Sequence, residues 1–134
     1  MNRPEKRDCI ILNFWTELPE IIADAGAGSK ARAIILSSTG PHFTAGLYKS
    51  LFAFVGEADS KADEDERNIQ FGADFHHNVT QFQTAFTSLE ACRIPVLAAI
   101  QGGCIGGGID LITACEMRYG AKDLSILFLK QTLQ

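Results

Sequence analysis

A chain of 134 residues that is 46% hydrophobic and 21% charged, with a formal net charge of −4, has the composition of one globular domain with a modest core. Its 12 Lys and Arg against 16 Asp and Glu make no basic footprint, which argues against nucleic acid or an anionic membrane surface as a partner. No run of about 18 apolar residues exists, so no membrane-spanning helix is expected; Cys9, Cys92, Cys104 and Cys115 are spaced as reduced thiols rather than as a disulfide framework or a metal site.

Met1 leads directly into Asn-Arg-Pro-Glu-Lys, without an apolar signal core or an Arg/Ser-rich leader, and the last residues are not a peroxisomal address; no targeting signal is read. Residues 13–25 carry apolar side chains at 14, 15, 18, 21 and 22, which predicts a helix with Asn13 as N-cap, Pro19 as a defect and Gly26 as the stop. The run from Gly26 to Ala31 fits a loose Gly-x-Gly-x-x-Ala pattern. It follows a helix and precedes a strand, the reverse of a dinucleotide cradle, so a helix-to-strand turn is expected. Residues 33–37 read as a short buried strand ended by Gly40 and Pro41. The charged stretch 56–67 reads as an insert. A long helix over 68–92 follows, with Phe75, Val79, Phe82, Phe86 and Leu89 forming a core stripe. The neighbouring His76 and His77 diverge around that helix and are not a natural metal pair; Asn78-Val79-Thr80 lies mid-helix, unsuited to glycosylation.

The most informative stretch comes next. The apolar run 94–100 reads as a buried strand, Gly102 to Gly106 as a glycine turn, and the apolar residues from Gly107 to Glu116 as a buried helix starting at 106–108. A helix start leaves N–H groups unpaired and carries partial positive charge, so one free of side chains can hold an anionic oxygen. Asp110 would sit one turn inside that site, a carboxylate on an otherwise apolar helix start. Glu116 reads as structural, pairing with Arg118 or a neighbouring strand. Leu124 to Leu129 is apolar, uncharged and β-prone, a segment expected to promote association.

Gly102-Gly-Cys-Ile-Gly-Gly-Gly-Ile-Asp-Leu-Ile-Thr-Ala-Cys-Glu-Met-Arg-Tyr119, with the upstream blocks Gly40-Pro-His-Phe-Thr-Ala-Gly-Leu47 and Asn2-Arg-Pro-Glu-Lys-Arg7, resembles the enoyl-CoA hydratase/isomerase (crotonase) family, most of all its dienoyl-CoA isomerase branch. The resemblance implies an α/β fold of the ClpP/crotonase spiral type. It implies acyl-CoA as ligand, CoA being part of the substrate rather than a separate cofactor. A thioester enolate would be held by the backbone N–H groups of Leu47 and Gly107, an oxyanion hole, with Asp110 as the catalytic acid. Arg3, Lys6, Arg7, Ala45 and Lys49 would contact CoA. Family members are homo-oligomers of the mitochondrial matrix or the peroxisome.

Departures from the family pattern shape the expectation. Tyr48 stands where the family often has Asp, further acids expected downstream fall on Lys130 or Gln131 and beyond Gln134, and family members are longer. Residues 1–123 are therefore expected to form a partial crotonase-like acyl-CoA-binding domain, a truncated version of the fold, followed by a divergent tail over 124–134. Unsaturated fatty-acid β-oxidation is the expected setting. One alternative is an inactive truncated isoform that binds acyl-CoA or associates with full-length subunits. The other is an enoyl-CoA hydratase, whose chemistry positions water between two carboxylates.

Overall fold

Helices alternate with parallel strands in the computed structural model, which describes residues 1–28, 30–48 and 64–128 and, within these, all side chains but those of 64–75 and 78. A 3₁₀ turn at Pro4–Lys6 precedes helix α1 (Phe14–Ala27) and strand β1 (Ile34–Leu36). Helix α2 (Glu64–Glu90) leads to β2 (Val96–Ile100) and β3 (Gly103–Ile105). Helix α3 (Gly107–Thr113), β4 (Met117–Gly120) and β5 (Ser125–Leu127) complete the described chain. One sheet has the order β1-β2-β4 and a second pairs β3 with β5; every pairing is parallel. This is the α/β alternation expected from the sequence.

Helix α1 forms because Trp15, Leu18 and Ile22 recur on one face and are buried against α2. The Trp15 ring lies 4.3 Å from that of Phe82 and 5.4 Å from that of Phe86, and Leu89 is fully buried, so Phe82, Phe86 and Leu89 of the expected stripe belong to the core while Val79 is only partly covered. The Phe75 side chain lies outside the described ones. Pro19 is accommodated inside α1, where its missing N–H leaves only the Trp15 carbonyl without its helical donor. Gly26 is not the stop. The helix continues to Ala27, Gly26 packs beside the Cys92 sulfur, and the Arg93 guanidinium donates to the Gly26 carbonyl, satisfying one of the acceptors that a helix end leaves open. Asn13 takes helical dihedrals without a side-chain cap.

Other boundaries also differ from expectation. Helix α2 begins at Glu64, inside the stretch read as a charged insert, whose residues 56–63 lie outside the described ones. Strand β1 is only half buried: Ile34 and Leu36 pack against the core, while Ile35, on the other face of the sheet, is 67% exposed. Strand β2 is central and alternates, with Val96, Ala98 and Ile100 in the core. Part of the glycine turn is a strand. Cys104 of β3 pairs with Ile126 on one side and bridges to Thr44 on the other, partners distant in the chain. Helix α3 starts where expected and stops at Thr113. There Arg118 Nη1 donates to the carbonyls of Ile112 (3.2 Å), Thr113 (3.4 Å) and Cys115 (2.7 Å). Glu116 takes the second of its two expected roles: its Oε2 accepts the Val96 N–H at 2.6 Å, tying the end of α3 to the central strand.

Candidate active site

The loop before Leu47 is held along its length by backbone pairing. Phe43 N donates to the Gln101 carbonyl (2.8 Å), Thr44 N to that of Gly103 (3.1 Å), and Ile105 N to that of Thr44 (3.1 Å). Further on, Ile10 N donates to the Gly46 carbonyl and Tyr48 N to that of Ile10, both at 2.9 Å. This parallel bridge uses the groups flanking Leu47, so by the alternation of extended backbone the N–H of Leu47 itself faces away from Ile10. Gly46 makes the turn possible. Its φ is +85°, and a Cβ there would lie 2.9 Å from the Ile105 carbonyl oxygen.

The start of α3 lies on the same loop. A Cβ placed on Gly107 would be 3.5 Å from Leu47 Cδ2, so the Leu47 side chain lies beside Gly107 with room between them for one methyl group. Gly108 is tighter: a Cβ there would be 2.2 Å from the Thr44 methyl and 3.2 Å from Cys104 Sγ. Gly106 N donates to the Leu127 carbonyl at 3.2 Å, and its φ of 55° with ψ of −122° is a glycine conformation. As the first residue of α3, Gly107 has no intrahelical acceptor for its N–H. Among the described residues, neither the Leu47 nor the Gly107 N–H finds a protein acceptor.

Asp110 is in the first turn of α3, as expected, but its side chain is exposed rather than desolvated. The helix turns Gly108, Leu111 and Ile112 to the core, which leaves Asp110 on the outer face. Its carbonyl accepts from Thr113 Oγ1 (2.9 Å) and Ala114 N (3.1 Å).

The basic loop docks beside Ala45, whose N–H donates to the Arg7 carbonyl at 3.0 Å. Lys6 and Arg7 are exposed, whereas Arg3 is partly buried, with Nε 4.0 Å from Glu5 Oε1 and Nη1 enclosed without a protein partner. Arg3 also lines a cavity of about 490 Å³ walled by Ile10, Phe14, Leu18, Ile34 and Leu36. Lys49 lies outside the described residues. The structure therefore brings together Leu47 with Gly107, Ala45 with Arg7, and Asp110 with Gly107 on one helix. His76 and His77 are both exposed on α2, and among the described residues no group of three potential metal ligands occurs.

Two residues central to this arrangement were not singled out from the sequence. Asp8 is 1% exposed, has a φ of 51°, and accepts the Arg3 N–H on Oδ1 at 2.7 Å. Thr44 is fully buried, and its hydroxyl donates to the Asp8 carbonyl at 2.7 Å. The available signal was a hydroxyl residue inside an otherwise apolar and glycine-rich block. Cys104, beneath the helix start, is a buried thiol whose pKa is pushed up to about 11 by desolvation.

The family model described as enoyl-CoA hydratase/isomerase matches residues 1–132. Over 123 residues the chain is 38% identical to the mitochondrial Delta(3,5)-Delta(2,4)-dienoyl-CoA isomerase of Mus musculus, covering 92% of this chain and 36% of that protein. It is 35% identical over 123 residues to the peroxisomal Delta(3,5)-Delta(2,4)-dienoyl-CoA isomerase of Arabidopsis thaliana, covering 92% and 43%. A crystal structure of an enoyl-CoA hydratase from Mycobacterium smegmatis shares the fold with a TM-score of 0.77, over 96% of this chain and 44% of that one, at 24% identity. The chain spans well under half the length of these relatives. A family match over nearly every residue, on a parallel α/β framework shared with a solved member, means that this chain belongs to the enoyl-CoA hydratase/isomerase family.

Proposed function

We propose that this chain carries the enolate-stabilising part of a dienoyl-CoA isomerase-type site that works in unsaturated fatty-acid β-oxidation. The observation that carries this reading is the contact of two segments whose backbone N–H groups, at Leu47 and Gly107, lack protein acceptors. Such a pair is suited to a thioester oxygen as negative charge develops on it, and losing one donor of this kind typically costs about 3 kcal/mol of transition-state stabilisation. Asp110, one turn into the same helix, is the proton-transfer group in this reading. Arg7, whose carbonyl holds Ala45, and its exposed neighbour Lys6 suit the phosphates of CoA, together with Arg3 and Lys49. The names of the relatives point to mitochondria or peroxisomes as the compartment.

A second reading, acyl-CoA binding with little or no turnover, is favoured by the carboxylates. Asp110 is exposed to water, and Glu116 is engaged by the Val96 N–H. Moving a proton between carbons needs a base and an acid, and losing one costs about 10²–10⁴-fold. A hydratase would need a second free carboxylate as well, and the relatives at 38% and 35% identity are named isomerases.

The test has two arms. Infrared difference spectra of a saturated acyl-CoA, ¹³C-labelled at its thioester carbonyl, should show that carbonyl stretch lowered on binding; binding without a lowered stretch would refute the oxyanion hole. Incubation with 3,5-dienoyl-CoA, followed by absorbance of the conjugated 2,4-dienoyl product, should show slow conversion that Asp110→Asn abolishes; no conversion by the wild type would favour the second reading. Turnover that survives this substitution would remove Asp110 from the reaction.

A further inference from the structure

We infer that Thr44 is a positioning residue for the donor pair, an inference that rests on the thioester reading above. Its buried hydroxyl is used twice. It donates to the Asp8 carbonyl at 2.7 Å and accepts the Gly46 N–H at 3.2 Å. Among apolar-sized side chains only a hydroxyl can do both, because it offers one donor and two lone pairs at a single atom. The first bond ties the loop to Asp8, which is itself anchored to Arg3 and adopts a left-handed backbone that needs such support. The second holds the Ala45–Gly46 peptide, one unit before the Gly46–Leu47 peptide that carries the Leu47 N–H and whose carbonyl accepts from Ile10 N.

The rest of Thr44 reaches the other donor. Its backbone pairs with β3 through Gly103 and Ile105, two residues short of Gly107. Its methyl group occupies the space that a Gly108 side chain would need. One buried residue therefore touches the peptide before one donor and the residue after the other. Moving Thr44 changes the separation of the two N–H groups without contacting substrate.

The experiment uses the 134-residue chain. Thr44→Val keeps the methyl group and removes the hydroxyl; Thr44→Ser keeps the hydroxyl and removes the methyl. Amide ¹H–¹⁵N shifts of Leu47 and Gly107, the stretch of the labelled thioester carbonyl in bound acyl-CoA, and thermal unfolding are read for each. The valine variant is expected to stay folded, shift both amides, lose most of the lowering of the carbonyl stretch, and bind acyl-CoA weaker by about tenfold, the worth of one buried hydrogen bond. Serine should restore the carbonyl stretch. A merely structural role would lower the unfolding temperature while leaving the stretch unchanged, and that result overturns the proposal. If the valine variant does not fold, Thr44→Cys, with a poorer hydrogen-bonding atom of similar size, is read in the same way. If the wild type binds acyl-CoA without a lowered stretch, the thioester reading itself fails. The amide shifts then still decide whether Thr44 links the two segments: unchanged shifts at both residues refute the link.

Discussion

Two adjacent glycines separate packing from chemistry. Gly107→Ala meets only ordinary contacts with Leu47 and Ile10, whereas Gly108→Ala drives a methyl group into Thr44 and Cys104. We expect Gly107→Ala to leave stability near the wild-type value and to weaken acyl-CoA binding, because the methyl fills space beside the proposed donor. Gly108→Ala is expected to cost about 1–3 kcal/mol in urea unfolding, as overpacking does. The thiols give a pH prediction. Burial raises Cys104 and Cys115 from 9.0 to about 11, and for Cys115 the Glu116 carboxylate adds to the rise while Arg118 opposes it. Above the unfolded value the unfolded chain releases protons that the folded one retains, so stability is full below about pH 9 and falls toward pH 11. Urea midpoints measured across that range should decline, and replacing both cysteines by Ala should flatten the decline. Beyond a hydroxyl in an apolar, glycine-rich block, the sequence does not mark Thr44 or Asp8, because their roles come from partners brought together across up to 36 residues.

At the scale of elements, the contact of α1 with α2 is the largest aromatic cluster among the described residues. Trp15→Ala is expected to cost about 3–5 kcal/mol, a large share of the stability of a domain this size. Trp15→Phe should cost far less, because the indole N–H is buried without a partner and its removal breaks no hydrogen bond. Chemical denaturation of the two variants separates these outcomes; equal losses would mean that the N–H is satisfied in solution. The helical elements were legible because 3.6-residue periodicity is local. Their ends were not. Gly26 reads as a stop, yet Arg93 reaches back 67 residues to supply the donor that extends α1. Strands β3, β4 and β5 are short, and β4 and β5 are exposed along their length, so they carry no alternation to read.

At the scale of the molecule, the segment after Asp123 is where the sequence and the structure are most at odds. Leu124 packs against the core, but Ile126, Leu127 and Phe128 are exposed, Phe128 at 80%, the kind of apolar surface that promotes association. Its backbone is nevertheless built in: Ser125 N donates to the Gly102 carbonyl at 2.8 Å, and the Leu127 carbonyl accepts the Gly106 N–H. Leu127→Lys with Phe128→Lys should reduce association measured by light scattering while keeping the fold, whereas deleting residues 124–134 should lower the unfolding temperature by stripping β3 of its partner. A deletion that raises solubility at unchanged unfolding temperature would show that β5 contributes nothing. The sequence by itself determined the fold class, the helices, the central strand and the family, because apolar period and the glycine blocks are properties of consecutive residues. It also marked Leu47, Gly107 and Asp110. Only the tertiary structure decided that Leu47 and Gly107 are neighbours, that Asp110 faces water, and that Thr44 sits between the two loops. Each of those depends on parallel pairing between segments far apart in the chain, and pairing of that kind is set by what the folded core brings side by side.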